Sequence, residues 1–490
     1  MRNVLFASPE AAPFAHSGGL GEVAGALPKA LCEDESLGID CRVILPLYGK
    51  IDWQFRNKMR YIGYTYVNLS WRRQYLGLFS MDLGKVRYYF IDNEYYFKRD
   101  GFYGYYDDCE RFAYFSMAVF TALDLIKADD GFVPDIIHAN DWQTALIPVY
   151  QTTIFRRPFL KTILTIHNIE YQGHYGNDTL DYTIGIPEGA SYLLDFEGDV
   201  NLLKGGIECA NAVTTVSPTY AAELTDWRNA FGLHDIIGRN SWKTQGIING
   251  IDTDVYDPAA DKYIPANFDK DDLSGKSACK KALQEELCLP VRDDVCMLSL
   301  CSRLVPAKGV DLLTAELEDI LDKKDVQFIM LGTGTYEYEE FFKYINRRFP
   351  DKARCMIEFN TAMSHKLYAA SDIFIMPSRS EPCGLSQMIS SRYGTVPLVH
   401  KTGGLSDSVK SCAAFLKQSS PKPPKEGTQE ALGFVFEKFS PQAFRNCVLK
   451  AINAFERKAE WERLMKYDMQ VDFSWKNPAK KYADLYKFFN

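Results

Sequence analysis

Short apolar runs that end in polar or glycine residues recur along the chain, and they constrain its fold more than any other feature. In the first half such runs lie at 3–8, 41–46, 135–138 and 162–166. Each has the length of one strand buried on both faces, and helical stretches such as 22–31 lie between them. This alternation predicts an α/β fold built on a doubly wound parallel sheet.

The second half repeats the pattern, with apolar runs at 295–299, 327–331 and 373–376. The run Thr402-Gly403-Gly404-Leu405 resembles Ser17-Gly18-Gly19-Leu20 of the first half, through shared architecture or through chance. Because 490 residues exceed what one hydrophobic core usually supports, we expect two large domains. The domains predicted are 1–245 and 258–460, with a turn-rich hinge at 246–257 and an aromatic C-terminal segment at 461–490.

Charge and cysteine usage exclude several classes of function. The formal net charge is −8 without a block of like charge, so neither nucleic acid nor an anionic membrane surface is an expected partner. No apolar run approaches the roughly 20 residues that span a bilayer. The 12 cysteines are scattered and form no CxxC pair, and the seven histidines are dispersed. We therefore expect reduced thiols, a cytoplasmic protein, no signal segment and no metal site.

Polar side chains follow two of the predicted strands in the first half. Asp141 and Trp142 come after one strand, and His167 and Asn168 come after the next. Functional groups of parallel α/β sheets gather at the carboxyl ends of the strands, so these residues are candidates for a binding site. Trp142 could stack on the apolar face of a sugar ring, or it could be one of the many aromatic residues of a large core.

Two further segments could bind phosphate. The glycine turn containing Gly18 and Gly19 precedes a helix whose N-terminus would attract an anion, but a tight strand-to-helix turn would look the same. Arg303 and Lys308 follow the strand at 295–299 and could clamp a diphosphate. From spacing alone they could equally be a solvated pair of surface charges.

The turn Ser380-Glu381-Pro382-Cys383-Gly384-Leu385 places a carboxylate directly after a strand. Glu381 could accept hydrogen bonds from sugar hydroxyls or stabilise positive charge at a sugar carbon. It could instead cap a helix. Cys383 has no basic neighbour in the sequence, which favours packing over nucleophilic chemistry.

Together these motifs resemble the bacterial glycogen synthase and plant starch synthase family of retaining glycosyltransferases. The resemblance spans nearly the whole chain in one order. It includes the following runs: Ser17-Gly18-Gly19-Leu20, His138-Ala139-Asn140-Asp141-Trp142-Gln143, Thr165-Ile166-His167-Asn168, Val216-Ser217-Pro218-Thr219-Tyr220, Asn249-Gly250-Ile251-Asp252-Thr253-Asp254, Ser302-Arg303 with Lys308-Gly309, Pro377-Ser378-Arg379, Glu381-Pro382-Cys383-Gly384-Leu385 and Thr402-Gly403-Gly404-Leu405.

The resemblance implies the GT-B fold, two Rossmann-like domains facing across a cleft, with the C-terminal helix crossing back to the N-terminal domain. It implies transfer of glucose from ADP-glucose or UDP-glucose to an α-1,4-glucan or maltooligosaccharide, without metal or cofactor.

The same resemblance assigns roles to individual residues. Arg303 and Lys308 would hold the donor diphosphate, Glu381 the transferred glucose. Donor binding would also involve these residues: His16, Gly18, Gly19, Cys383, Gly384 and Leu385. In the first domain, Asp141 and His167 would contact the glucose, and Trp142 and Asn168 would lie on the acceptor side.

The sequence departs from the family pattern at His16, where members usually carry lysine, and at Glu22, where aspartate is common. The choice of donor therefore stays open. Two alternatives also remain: a non-catalytic glucan-binding relative, and a GT-B enzyme that makes a sucrose-type or trehalose-type product. His16 favours the first of these, whereas Arg303, Lys308 and Glu381 argue against it.

Overall fold

The computed structural model describes residues 1–419 and 421–489. Asn490, the last residue of the predicted C-terminal segment, lies outside this range. The chain divides into two compact units. Unit 1 comprises Met1–Gly250 and the chain from Trp475 onward, and unit 2 comprises Ile251–Ser474.

Unit 1 is built on a nine-stranded sheet with a small three-stranded sheet beside it. Its strands are β1 (Arg2–Ala7), β2 (Ile39–Pro46), β3 (Arg60–Leu69), β4 (Arg72–Leu83), β5 (Val86–Asp92), β6 (Ile136–Asn140), β7 (Lys161–Ile166), β8 (His174–Tyr175), β9 (Asp195–Phe196), β10 (Asp199–Asn201), β11 (Ala212–Thr215) and β12 (Thr244–Gly246). The large sheet has the order β12-β11-β7-β6-β1-β2-β5-β4-β3. Only the β5-β4 and β4-β3 pairs are antiparallel.

The helices of unit 1 that precede Gly250 are α1 (Gly19–Glu33), α2 (Trp53–Arg56), α3 (Glu94–Phe97), α4 (Asp108–Asp130), α5 (Leu146–Tyr150), α6 (Leu202–Cys209), α7 (Pro218–Glu223) and α8 (His234–Arg239). They pack along this sheet, for example α1 on β2, α4 on β3 and α5 on β7. From β1 the chain continues through β2 toward one side of the sheet, and from β6 it continues through β7 toward the other side. The strand order therefore reverses between β1 and β6. In α/β sheets a ligand binds outside the strand ends at such a reversal.

Unit 2 contains a seven-stranded parallel sheet in the order β15-β14-β13-β16-β17-β19-β18. Its strands are β13 (Cys296–Cys301), β14 (Val326–Leu331), β15 (Ala353–Met356), β16 (Ile373–Met376), β17 (Val396–His400), β18 (Val409–Ser411) and β19 (Ala431–Phe436). Its helices are α9 (Ser274–Glu286), α10 (Val310–Lys323), α11 (Tyr336–Arg348), α12 (Thr361–Ala370), α13 (Ser386–Arg392), α14 (Gly403–Ser408), α15 (Pro441–Phe455) and α16 (Lys458–Asp468). Here the order reverses between β13 and β16.

The last helix, α17 (Lys476–Phe488), belongs to unit 1. Tyr482 and Tyr486 are fully buried there, and the Tyr486 hydroxyl lies 2.7 Å from Nδ1 of His138 on β6. The predicted boundary at 461 differs from this division, because α16 packs in the unit 2 core through Trp461 and Leu464. The segment that returns to unit 1 therefore begins at Trp475. The chain first passes from unit 1 to unit 2 after Gly250, which lies within the stretch 246–257 that was predicted as a hinge.

Both halves are thus α/β units with a Rossmann-like sheet, which confirms the predicted fold class. None of the helices in the described part of the chain is long and apolar enough to cross a membrane.

Candidate functional site

In unit 1 the ends of β6 and β7 are joined by a buried carboxylate. Asp141 directly follows β6 with a φ of +58°, a left-handed conformation that non-glycine residues rarely adopt. Its Oδ1 accepts hydrogen bonds from the backbone amides of His167, at 2.6 Å, and Asn168, at 3.4 Å. Burial raises the pKa of Asp141 to about 7, although these two N–H donors act to lower it. Asp141 is therefore a carboxyl group that changes charge near neutral pH.

His167 is held as a neutral imidazole with a defined tautomer. Burial lowers its pKa to about 3. The side-chain amide of Asn140 donates through Nδ2 to the carbonyls of Ala7 and His138, so its Oδ1 faces Nε2 of His167 at 2.9 Å. Because this oxygen only accepts, Nε2 carries the proton and Nδ1 is the acceptor. His167 can therefore bind a hydroxyl without adding charge.

A second carboxylate, which the sequence analysis did not select, completes the unit 1 strand ends. Glu10 follows β1 and is only 3% exposed. It accepts hydrogen bonds from the backbone amide and hydroxyl of Ser17 and, at 2.5 Å, from the hydroxyl of Tyr103. Glu10 lies just after the first strand. The rule that selected Asp141, that functional groups gather at the carboxyl ends of parallel strands, would therefore have selected Glu10 as well.

Glu10 thereby fixes the glycine turn that begins α1. Gly18 is the N-terminal cap residue, and no side chain caps this helix. His16, Gly18 and Gly19 are exposed, so the backbone here is accessible to a ligand. A side chain at Gly21 is impossible without rearrangement, because its Cβ would lie 2.4 Å from Cβ of His16.

Trp142 differs from the expectation of a sugar-stacking ring. It is 8% exposed, and its ring contacts Phe112 at 5.2 Å and Tyr175 at 6.1 Å between centroids. The missing side chain of Gly173 leaves room for it, since a Cβ there would lie 2.6 Å from the indole. Trp142 therefore packs as a core residue beneath the Asp141 turn. Asn168 is half-buried, and its side chain accepts from the amide of Glu170.

In unit 2 the ends of β13 and β16 are joined by an ion pair. Nζ of Lys308 lies 2.6 Å from Oε2 of Glu381, and the hydroxyl of Ser378 donates to the same oxygen at 2.9 Å. Glu381 is 5% exposed, whereas Lys308 is half-buried. The pair lies where the strand order of unit 2 reverses, which is the position for a ligand site in such a sheet.

A glycine locks the two loops that carry this pair. Gly309 has a φ of +68°, and a Cβ there would lie 1.9 Å from the carbonyl oxygen of Pro377. The amide of Arg379 also donates to the carbonyl of Ala307 at 2.9 Å. Lys308 and Glu381 are therefore held together by backbone contacts as well as by charge.

The turn after Glu381 packs against the second glycine pair. The amide of Gly404 donates to the carbonyl of Glu381, and a Cβ on Gly404 would lie 2.2 Å from the carbonyl oxygen of Cys383. Cys383 is buried and Gly384 has a φ of +72°. Leu385 is the N-terminal cap residue of α13. The Cys383 thiol is therefore covered, as a packing role requires.

Arg303 also follows β13, and its side chain is exposed. The backbone around it is fixed by the loop after β14, because Cβ atoms on Gly332 and Gly334 would lie 1.9 Å and 2.1 Å from the carbonyls of Ser302 and Leu304. Within the described residues, no group of three or more His, Cys, Asp or Glu side chains is arranged to hold a metal ion.

Each of the two parts of the chain matches a known protein family. Residues 3–239 match the family of starch synthase catalytic domains, and residues 293–461 match the glycosyl transferases of group 1. The chain is 41% identical to a glycogen synthase of Anoxybacillus flavithermus, over 99% of this chain and 97% of that one. It is 42% identical to a glycogen synthase of Lactobacillus acidophilus, over 99% and 98%.

Solved structures show the same likeness. The catalytic domain of starch synthase IV from Arabidopsis thaliana, bound to ADP and acarbose, superimposes with a TM-score of 0.87 at 34% identity, covering 100% of this chain and 99% of that one. A sucrose-phosphate synthase from Thermosynechococcus elongatus shares the fold alone, with a TM-score of 0.60 at 16% identity, covering 100% and 99%. The chain therefore belongs to the glycogen and starch synthase family of retaining GT-B glycosyltransferases.

Proposed function

We propose that this glycosyltransferase uses ADP-glucose and adds its glucose to the non-reducing end of an α-1,4-glucan. The observation that carries the proposal is the Lys308–Glu381 pair, a cation and a carboxylate 2.6 Å apart at the strand-order reversal of unit 2. The ADP and acarbose bound by the Arabidopsis relative support a nucleotide donor and a glucan acceptor.

In this proposal unit 2 binds the donor. Arg303 and Lys308 bind the diphosphate and stabilise the negative charge that grows on it as the bond to glucose breaks. Glu381 accepts hydrogen bonds from the glucose hydroxyls, and the amides of Gly384 and Leu385 position the sugar. These two cations supply the charge that a metal ion supplies elsewhere, so we expect transfer to proceed without added metal.

Unit 1 contributes acceptors and donors that carry little charge. His167 is neutral, and its Nδ1 accepts a hydrogen bond from a sugar hydroxyl. Asp141 fixes the His167 backbone, which we place next to the reacting carbon. Asn168 lies on the acceptor side. The exposed turn at Gly18 and Gly19 offers backbone amides to the donor phosphate, and His16 adds a side chain there.

The test is chain extension by the purified protein. Maltooligosaccharides are incubated with ADP-glucose or UDP-glucose, with and without a chelator, and product length and nucleotide release are measured. We expect longer α-1,4 chains with ADP-glucose in both conditions. Faster elongation with UDP-glucose would overturn the donor assignment, and no elongation with either donor would support the non-catalytic alternative.

A His16→Lys variant tests the donor side of unit 1. Lysine carries a positive charge at pH 8 on a long flexible stem, and a cation at this position would attract the donor phosphates. We expect a lower KM for the donor at pH 8 in the variant than in the native protein. Equal values would show that His16 does not approach the phosphates.

The cytoplasm is the compartment that we propose for the enzyme. Eight of the cysteines are buried thiols, and the cytoplasm keeps such thiols reduced.

A further inference from the structure

Four tyrosines form an exposed aromatic surface on the edge of the unit 1 sheet. Tyr61, Tyr64 and Tyr66 on β3 and Tyr75 on β4 are 47%, 59%, 42% and 38% exposed. A register shift between Tyr61 and Gly63 places Tyr61 on the same face as the other two residues of β3. We call these four residues the tyrosine platform.

The rings of the platform are held in defined positions. Those of Tyr64 and Tyr75 lie 6.2 Å apart between centroids with an interplanar angle of 24°. The guanidinium of Arg73 lies 4.1 Å above the ring of Tyr66. Tyr75 lies flat on the sheet because Gly77 has no side chain, and a Cβ there would come within 2.5 Å of the Tyr75 hydroxyl.

The platform lies toward the same end of the strands as the unit 1 site, the end where the parallel strands have their carboxyl termini. Tyr64 pairs with Gly77, which pairs with Asp92, the last residue of β5. Since β5 runs parallel to β2, and β2 to β1, this end of β5 is the edge where Glu10 lies. Three strand spacings separate β4 from β1, which corresponds to about 14 Å. A polymer at the site can reach this distance.

We propose that the tyrosine platform binds the glucan substrate several glucose residues away from its reacting end. Sugar rings present apolar C–H faces that stack on aromatic rings, and two nearly parallel rings offer consecutive stacking positions. Arg73 and Asp92 flank the rings with opposite charges, which suits an uncharged chain with many hydroxyls better than an anionic ligand. The inference rests on the proposed function, because it names the acceptor of that reaction as the occupant.

The experiment compares long and short acceptors in two platform variants. Tyr64→Ala removes one ring, whereas Gly77→Ala keeps every ring and displaces Tyr75. For each we expect about a tenfold weaker affinity for glycogen, measured by native gel electrophoresis in gels containing glycogen, without any sugar nucleotide. The KM for glycogen should rise by a similar factor, while kcat and KM with maltotriose stay unchanged.

Tyr192→Ala, which removes a tyrosine that is 68% exposed elsewhere in unit 1, is the matched control and should leave glycogen affinity unchanged. Unchanged glycogen affinity in both platform variants would overturn the proposal. Loss of self-association in sedimentation, with glycogen affinity intact, would assign the platform to a second copy of the chain and overturn it as well. The binding measurement needs no donor, so a failure of the proposed transfer would not be mistaken for a failure of the platform.

Discussion

Lys308 is the side chain whose loss should weaken the proposed reaction most. It contacts the Glu381 carboxylate and, in our proposal, the departing diphosphate. Removing one such electrostatic contact typically lowers turnover by about 10²- to 10³-fold. We expect Lys308→Ala to lower kcat to this extent in an assay of nucleotide release, with an unchanged unfolding temperature. Lys343→Ala, which removes a half-exposed lysine of α11 paired with Glu340, is the control and should be fully active. Near-normal turnover in Lys308→Ala would refute the assignment.

Asp141 should make the stability of unit 1 depend on pH. Its pKa is about 7 in the folded protein, against 3.8 for the unperturbed group, so the folded state binds a proton more tightly. Stability from this group is complete below pH 4 and is lost as pH rises through 7. Asp141→Asn keeps the acceptor for the His167 amide and removes the titration. We therefore expect its unfolding temperature, relative to that of the native protein, to be higher at pH 8 than at pH 5.

The comparison isolates Asp141, because the buried histidines are present in both proteins and their effects cancel. A difference in unfolding temperature that does not change between pH 5 and pH 8 would show that Asp141 stays ionised in the folded protein.

Sequence reasoning selected residues that follow the ends of parallel strands, and it failed where packing decides. It selected Asp141, His167, Lys308 and Glu381. The structure places Asp141, Lys308 and Glu381 in loops after strands that border a strand-order reversal, and His167 after β7, one strand further away. It could not show that Trp142 is covered by Phe112 and Tyr175, because those rings come from distant segments.

The loops that carry Lys308 and Glu381 depend on one glycine. In Gly309→Ala the new Cβ would meet the carbonyl of Pro377 at 1.9 Å, in addition to the roughly 1–2 kcal/mol cost of a left-handed conformation. Gly38→Ala is the matched control, since Gly38 has a φ of +64° with open space around it. We expect Gly309→Ala to lower both the unfolding free energy and kcat more than Gly38→Ala does. Equal losses of unfolding free energy in denaturant titrations of the two variants would show that the loops around Gly309 accommodate the new side chain without further destabilisation.

The elements themselves were predictable where the pattern was simple. The buried strands β1, β2, β6, β7 and β16 fall on the predicted apolar runs within two residues. The antiparallel strands β3 and β4 were not predicted, because tyrosines stand among their exposed residues and a register shift breaks the alternation of β3. Exposed aromatic residues look like core residues in a sequence, which is why the platform became visible only in the structure.

At the scale of the whole molecule, unit 1 is completed by α17, a helix that follows unit 2 in the sequence. Tyr486→Phe removes the hydrogen bond to Nδ1 of His138 without changing the packing, which should cost about 1 kcal/mol. We expect calorimetry to show a decrease of about 2–4 °C in the unfolding temperature of unit 1. Tyr192→Phe, at an exposed position, is the control. An unchanged transition would mean that water satisfies His138 equally well.

The return of α17 to unit 1 also sets an order for folding on the ribosome. When Gly250 has been synthesised, β1 and β6 can pair, but the surface that receives Tyr482 and Tyr486 has no occupant until more than 200 further residues have followed. At 5–20 residues per second this interval lasts roughly 10 to 50 seconds. Unit 2, whose ends meet where the amide of Ile251 donates to the carbonyl of Phe473, is itself complete only at Ser474, just before α17 is synthesised. The N-terminal half therefore stays incomplete for as long as unit 2 is being synthesised, and both units are completed at almost the same time.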